Sequence, residues 1–391
     1  MIIDFHNGGY SVTSCSPLSG IRVFELGASV AAPYGAWVLA QLGAEVIKVE
    51  KPIDGDDARH WGPPFWQGTG AMFHALNRDK KSVTVNLRDE NECRQLLDAI
   101  IQTGDIVIQN MRPGKAVELG LGPKDLLLKK PSLIYANFGA FGHTGPYKAR
   151  PGYDPLMQAF GGLMSVTGEE GRPPVRVGTS IIDMGTGMWS VIGIVSALRE
   201  RDVTGEGGVV DLSLYETSIA WMTAHTAAYH SGGDMPSRYG SGMRTIAPYE
   251  AYECKDGFLV IAGANNSLFE KISCALACPG WAKDTRFKTN PDRVKNRDTL
   301  NTLITDILIK KPRTHWQAIL DDKGVPNAPI QNTGEMSQHL QTQALGMIQE
   351  APDQSIKLTG MPLSFDGERP PFRSTAPEIG EHNNEIFGEN E

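Results

Sequence analysis

Apolar residues in the first 140 positions fall into short runs separated by stretches of helical spacing. Residues 21–26 (IRVFEL) have a strand's composition, 31–42 carry apolar residues at helical intervals, and 45–50 (EVIKVE) form a second run. Together they predict a βαβ unit. Strand-like runs recur at 81–87, 105–110 and 133–138, with an amphipathic helix at 92–103. Strands alternating with helices predict an α/β fold with a doubly wound, mostly parallel sheet. A further strand is expected at 209–214 and a helix at 216–231. A second series then begins. Strands at 249–254 and 258–262 flank the turn Lys255-Asp256-Gly257, and helical stretches follow at 267–277, 298–310 and 313–322. Residues 246–326 are therefore expected to form a smaller domain.

Residues 151–200 stand apart from both series. Two apolar stretches rich in Gly and Met flank a polar loop, and Asp183 sits where the loop gives way to the second stretch. An Asp before Met-Gly-Thr-Gly-Met is a reasonable helix cap. An unpaired carboxylate beside the N–H groups of a helix start is also a candidate nucleophile, and the two roles are compatible.

The first βα turn narrows the chemistry. A dinucleotide site would show G-x-G-x-x-G there. This chain shows Gly27-Ala28-Ser29-Val30-Ala31-Ala32-Pro33, without the second and third glycines. A nicotinamide or flavin enzyme is disfavoured, while the small residues still permit close approach of a ligand. In open α/β sheets ligands bind outside strand ends. Lys51, Lys80, Lys81 and Arg112 are thus candidates to face phosphates, with a solvated charged face as the alternative. The loop 137–147 (NFGAFGHTGPY) suits a flat ring.

Composition adds exclusions. The 391 residues carry a net charge of −8, which argues against a general nucleic-acid binder. No run reads as long enough to span a membrane. The five cysteines, Cys15, Cys93, Cys254, Cys274 and Cys278, complete no zinc pattern and read as buried reduced thiols of a cytoplasmic protein. Residues 1–17 lack the features of a secretory or transit leader and read as a loose extension.

Several segments then agree with one pattern. LGAEVIKVEKP (42–52), NRDKKSVTVNL (77–87), NMRPGKAVELGLG (110–122), GAFGHTGPY (139–147), PGYDPLMQAFGGLMSVTG (151–168), the Asp183 segment, TGEGGVVDLSLYE (204–216) and GEHNNEIF (380–387) occur in this order. On these residues the chain resembles the family III CoA-transferases, which include formyl-CoA:oxalate, carnitine and succinyl-CoA:glutarate CoA-transferases. The α-methylacyl-CoA racemases share the fold. The resemblance implies a Rossmann-like large domain from 18–220 and a return segment 335–391. It also implies an inserted α+β domain, linkers at 221–245 and 327–334, and an interlocked homodimer.

The resemblance aligns Asp183 with the family's nucleophile, which exchanges acyl groups with coenzyme A without a metal or redox cofactor. It implies coenzyme contacts at Ala28, Ser29, Val30, Ala31, Lys51, Val85, Asn110 and Met111. Glu118 stands where a phosphate-binding arginine is used in the formyl-CoA enzyme, so Arg112 or Lys115 is the candidate substitute. Related enzymes place a glycine loop over the aspartate. Tyr239-Gly240-Ser241-Gly242 is the candidate lid, with a plain linker as the alternative. The racemases use a His that aligns with Tyr153, which is itself a candidate coenzyme contact here. Tyrosine, titrating near about 10, is a poor base at neutral pH, so transfer is favoured over racemisation. Asp154 either orients substrate or caps the following helix. Gln158 either faces the site or is a helix-surface amide. DGDDARHWGPP, TIAPYEAY and GVPNAPIQN look closest to the succinyl-CoA:dicarboxylate branch. Arg244 and Arg59 are then candidates for a distal carboxylate, with surface placement as the alternative for each. A CoA-binding protein without turnover is the remaining reading of another class.

Overall fold

The computed structural model describes residues 16–388, so the extension before Leu18, Cys15 included, lies outside the described residues as far as position 15. Six of the apolar runs pair into one sheet: β1 (Arg22–Leu26), β2 (Glu45–Glu50), β3 (Lys81–Thr84), β4 (Ile106–Gln109), β5 (Ile134–Gly139) and β6 (Gly208–Ser213). Their order is β3-β2-β1-β4-β5-β6, and every neighbouring pair is parallel. Winding reverses between β1 and β4, the place where such sheets open a ligand crevice.

Alternation along the strands explains why both faces are covered. Val23, Ile106 and Ile108 pack into one apolar cluster, while Phe24 and Val107 pack into the cluster on the opposite face. Strands buried on both faces need apolar side chains at nearly every position.

Two helices dominate the first of those faces. α1 (Ala31–Gln41) is buried along its whole length. α2 (Asp154–Phe160) precedes α3 (Ile181–Thr204), a 24-residue helix, and α4 (Leu214–Trp221) follows β6. α1 and α3 touch main chain to main chain. A Cβ added at Gly187 would lie 2.8 Å from the Ala31 carbonyl oxygen and 2.9 Å from the Gly35 nitrogen. One added at Gly35 would collide with Ser190 Oγ. Gly187 is one turn beyond Asp183, and Ala31 opens α1, so the crossing fixes the start of one helix against the start of the other.

The structure corrects two expectations here. By length and composition α3 could cross a membrane, contrary to the reading that no such run exists. Its internal Gly, Thr and Ser residues break up the apolar pattern; Ile182, Ile194 and Leu198 are buried in the core. The helix expected over 216–231 is two, α4 and Thr223–His230. The break at Met222 carries no glycine or proline to announce it.

The chain divides into two compact units. The larger holds residues up to Leu163, Val177–His230 and the chain from Leu340 onward; the smaller holds Met164–Arg176 and Ser231–His339. In the smaller unit β7 (Tyr249–Cys254), β8 (Gly257–Ala262) and β9 (Asn327–Pro329) form an antiparallel sheet in the order β9-β8-β7. Its own core includes Leu259, Phe269, Leu300 and Trp316. β9 lies in residues read as linker. The segment 164–176, read as part of the large domain, supplies the Gly168 carbonyl that accepts from Gly240 N–H at 2.8 Å. The Arg172 carbonyl accepts from Arg238 Nη2 at 2.7 Å. In the larger unit the C-terminal segment returns to β3, where Asn383 Oδ1 accepts from Thr84 N–H at 2.8 Å. Among the four described cysteines, Cys254 is buried but Cys274 is exposed, correcting the expectation of uniformly buried thiols.

Gly187→Ala forces a Cβ into main-chain atoms that cannot swing aside, so it should destabilise the protein by about 1–3 kcal/mol. Gly280, with nothing within 4 Å of an added Cβ, is the control site. Urea unfolding of the two alanine variants checks this, and Gly280→Ala should stay close to wild type.

Candidate active site

The turn after β1 is shaped by three side chains that reach it from elsewhere. Asn110, just past β4, accepts from Ala28 N–H at 3.0 Å and donates to the Ala28 carbonyl at 2.7 Å. Asp56 Oδ1 accepts from Ser29 N–H at 3.1 Å. Lys48 Nζ donates to the Gly27 carbonyl at 3.0 Å. Ser29 sits at φ +72°, a left-handed conformation uncommon outside glycine. Val30 then starts α1 without a side-chain cap. Ala28, Ser29, Val30, Ala31 and Asn110 are thus gathered at the switch between β1 and β4.

Beside them, at the carboxyl ends of β1 to β4, a cavity of about 930 Å³ is lined by Lys51, Val85, Arg88, Met111, Arg112 and Lys115, among others. Four cations outnumber the carboxylates of Glu50 and Glu118 in this lining. Lys115 is paired with Glu118 at 3.1 Å and Lys51 with Asp57 at 2.7 Å. Arg88 was missed in the sequence. Its only signal is its place just past β3, in a loop at a strand's carboxyl end.

Other sequence candidates lie elsewhere. Lys80 is buried and donates to Glu25 at 2.7 Å, the Pro33 carbonyl at 3.0 Å and Asn77 at 2.9 Å, so it cannot face a phosphate. Burial lowers its pKa to about 8. Lys81 is held by Glu45 at 2.6 Å and by Glu385. Arg59 is neither a substrate ligand nor a surface group. Its Nε and Nη2 donate to Glu50 at 2.8 and 2.6 Å, beneath the Phe73 ring. In the aromatic loop 137–147 the rings pack on one another, although Tyr147 stays 41% exposed. Phe141 packs on Tyr147 and Phe160 at 5.5 and 5.2 Å between ring centroids, and Phe160 packs on Tyr215.

Asp183 is the third residue of α3, so it is not the helix cap. That work is done by Asp154, which is 2% exposed. Asp154 Oδ2 accepts from Ile182 N–H at 2.7 Å and Asp183 N–H at 3.3 Å. Asp154 therefore caps a helix 28 residues away from its own position rather than the one it begins. Gln158 is buried and completes the arrangement. Its Nε2 donates to Asp154 Oδ1 at 2.6 Å, and its Oε1 accepts from Val177 N–H at 2.8 Å. It is not a helix-surface amide. Tyr153, the residue before α2, is 64% exposed.

This packing sets the charge state of Asp183. Burial, and then the negative charge of Asp154, raise its pKa to about 7. A carboxyl poised near neutrality beside a fixed carboxylate is a mark of a functional site.

Gly240 and Gly242 belong to the smaller unit. Gly240 has φ +61°, which favours glycine. The loop is anchored by Ser241 Oγ, which accepts from Ala251 N–H at 3.0 Å, and by Arg297, whose guanidinium stacks 4.9 Å from the Tyr239 ring. Arg244 is exposed.

Known proteins identify the family. The sequence profile described as CoA-transferase family III matches residues 18–383. An acyl-CoA transferase of Fusarium pseudograminearum is 37% identical over 96% of this chain and 85% of its own length. The succinyl-CoA:glutarate CoA-transferase of Mus musculus is 33% identical over 96% of this chain and 87% of its own. The crystal structure of a CAIB/BAIF family protein from Brucella suis superposes with a TM-score of 0.88 at 37% identity, covering 95% of this chain and 98% of that one. The chain belongs to CoA-transferase family III and is a CoA-transferase.

Proposed function

We propose that this enzyme moves CoA from an acyl-CoA donor to a small dicarboxylate of the succinate or glutarate type, with Asp183 as the nucleophile. The carrying observation is the half-buried Asp183 carboxyl on the first turn of α3, its backbone tied to Asp154. The mouse relative's succinyl-CoA:glutarate activity supports the substrate class.

In this reading an Asp183 oxygen attacks the donor's acyl carbon. The C–S bond breaks, leaving a mixed anhydride and CoA thiolate. The thiolate attacks the Asp183 carboxyl carbon and expels the donor acid, giving an aspartyl-CoA thioester. The acceptor carboxylate attacks that thioester carbonyl, releasing the thiolate and forming a second anhydride. Attack of the thiolate on the acceptor's acyl carbon yields the new acyl-CoA and frees Asp183. Covalent catalysis divides one exchange into four easier steps. Each tetrahedral intermediate carries an oxyanion that needs N–H donors, and exclusion of water protects the anhydrides from hydrolysis. CoA would lie with its phosphates toward Arg88, Arg112, Lys115 and Lys51, and its chain past Ala28–Ala31 and Asn110.

A homodimer fits the surface of α3. Met188, Trp189, Ile192 and Val195 are exposed along it, and Trp189 meets the exposed Trp221 of α4 at 6.1 Å between centroids. A contiguous apolar strip of this kind marks a protein interface, and a second copy is the proposed cover.

Three outcomes test the nucleophile. Protein incubated with succinyl-CoA and quenched with hydroxylamine should carry its modification on the Asp183 peptide by mass spectrometry, and Asp183→Ala should carry none. Labelling elsewhere would remove Asp183 from the role. Only ionised Asp183 attacks, so kcat/KM should fall as pH drops through about 7. Asp154→Asn removes the neighbouring charge but keeps an acceptor oxygen, and should move that acid limb to lower pH. Stability carries the opposite sign. An unfolded Asp titrates near about 3.9, so between roughly pH 4 and 7 the folded state binds the extra proton, and stability falls as pH rises. Asp183→Asn should therefore raise Tm relative to wild type at pH 8, and by much less at pH 4.

A further inference from the structure

Beneath the turn after β1 lies a set of charges that the transfer chemistry does not use. The side chains of Glu25, Lys48, Asp56 and Lys80 are 0–1% exposed. Lys48 Nζ lies 3.1 Å from Glu25 and 2.8 Å from Asp56, and donates to the Gly27 carbonyl at 3.0 Å. Lys80 closes the other side of Glu25 and donates to the Pro33 carbonyl. Asp56 Oδ1 accepts from Ser29 and Ala58 N–H groups at 3.1 and 2.9 Å. The Asp56 N–H in turn donates to Glu50 at 2.8 Å, the carboxylate held by Arg59.

Charges this deep are costly to bury, and well-packed apolar residues often stabilise a fold as well or better. Burial opposes ionisation of Asp56, yet Lys48 outweighs it and holds the carboxyl below its usual range. The Asp56–Lys48 pair is therefore held in its ionised form, and the bonds of the set land on main-chain atoms of the turn and of the start of α1: Gly27 O, Ser29 N and Pro33 O. At the centre of that turn Ser29 is left-handed at φ +72°, a conformation glycine adopts freely and serine does not.

We propose that Asp56, backed by Lys48, is a positioning residue for coenzyme binding. Its carboxylate holds Ser29 in the left-handed conformation, and the buried ion pair shapes the turn's main chain as glycines do in a dinucleotide-binding turn. The proposal rests on the reading that residues 28–31 contact CoA.

Calorimetric titration with CoA, together with transfer kinetics on the full chain, tests it. Asp56→Ala should weaken CoA binding about tenfold, the effect of losing one charge-assisted hydrogen bond. KM for acyl-CoA should rise while kcat changes little, a split that general loss of structure would not produce. Ser29→Gly placed in the Asp56→Ala background should recover most of the affinity, because glycine needs no carboxylate to stay left-handed. Asp56→Asn, which keeps an acceptor oxygen, should fall between wild type and Asp56→Ala. Unchanged affinity in Asp56→Ala, or a loss that the added Ser29→Gly does not relieve, overturns the proposal. If Asp56→Ala does not fold, Ser29→Val and Ser29→Gly decide the matter without touching a buried charge. Valine resists positive φ and should weaken CoA binding more than glycine does; equal affinities of the two variants overturn the proposal. Ala28→Trp separates the underlying reading. CoA affinity unaltered by that bulk shows that the turn does not touch the coenzyme. Weakening by Ala28→Trp but not by Asp56→Ala leaves the turn in place and removes the role of Asp56.

Discussion

The contact of Gly35 with Gly187 is the constraint on which the rest of the larger unit depends. Two helices whose main chains touch have no side chains between them to absorb a change in spacing. The start of α3 is therefore set by the start of α1, and α1 is set by the turn after β1. The nucleophile candidate and the turn beside the cation-lined cavity come from residues more than 150 positions apart in the sequence. One close helix crossing holds them in register. A larger residue at either glycine would separate two parts of the site, so small size here serves alignment as much as packing.

The larger unit treats its buried carboxyl groups in two ways. Glu25, Glu50 and Asp56 are matched by Lys48, Lys80 and Arg59. Asp183 has no such cation among the causes that set its pKa: burial and Asp154 act in the same direction. Asp154 itself is satisfied by two main-chain N–H groups and Gln158. Its negative charge makes Asp183's ionisation more costly. That cost sits on the group proposed to react, which accords with strain and perturbed ionisation gathering at functional sites.

Much of the fold was legible because its signals are local. The runs at 45–50, 249–254 and 313–322 coincide with the observed elements, since apolar periodicity and flanking turn residues specify them without tertiary help. α3 was harder to see. Glycines that serve its crossing with α1 look like helix breakers in one dimension. β9 is three residues long and exists only through pairing with β8. Within the site, Asp183 and the turn around Ser29 stood out by composition and by the resemblance they carry. The cap formed by Asp154 did not, because nothing in a linear pattern shows a side chain reaching a helix 28 residues away. Lys80, Lys81 and Arg59 misled for the complementary reason. Charge in a strand-end loop reads as available, whereas each has carboxylate partners supplied by another segment.

The return of the C-terminal segment to β3 bears on the order of events during synthesis. All six strands of the parallel sheet have been made once residue 213 emerges. The outer edge of β3 stays uncovered until residues 380–383 arrive. His382 N–H then donates to the Ser82 carbonyl at 2.9 Å, and Gly380 N–H to Ser82 Oγ at 3.1 Å. An open strand edge is a template for pairing with another chain. The nascent protein carries that liability through the translation of more than 160 further residues, at about 5–20 residues per second. Aggregation in the cell should therefore depend on how fast the message for residues 214–383 is read, and not only on the stability of the finished fold.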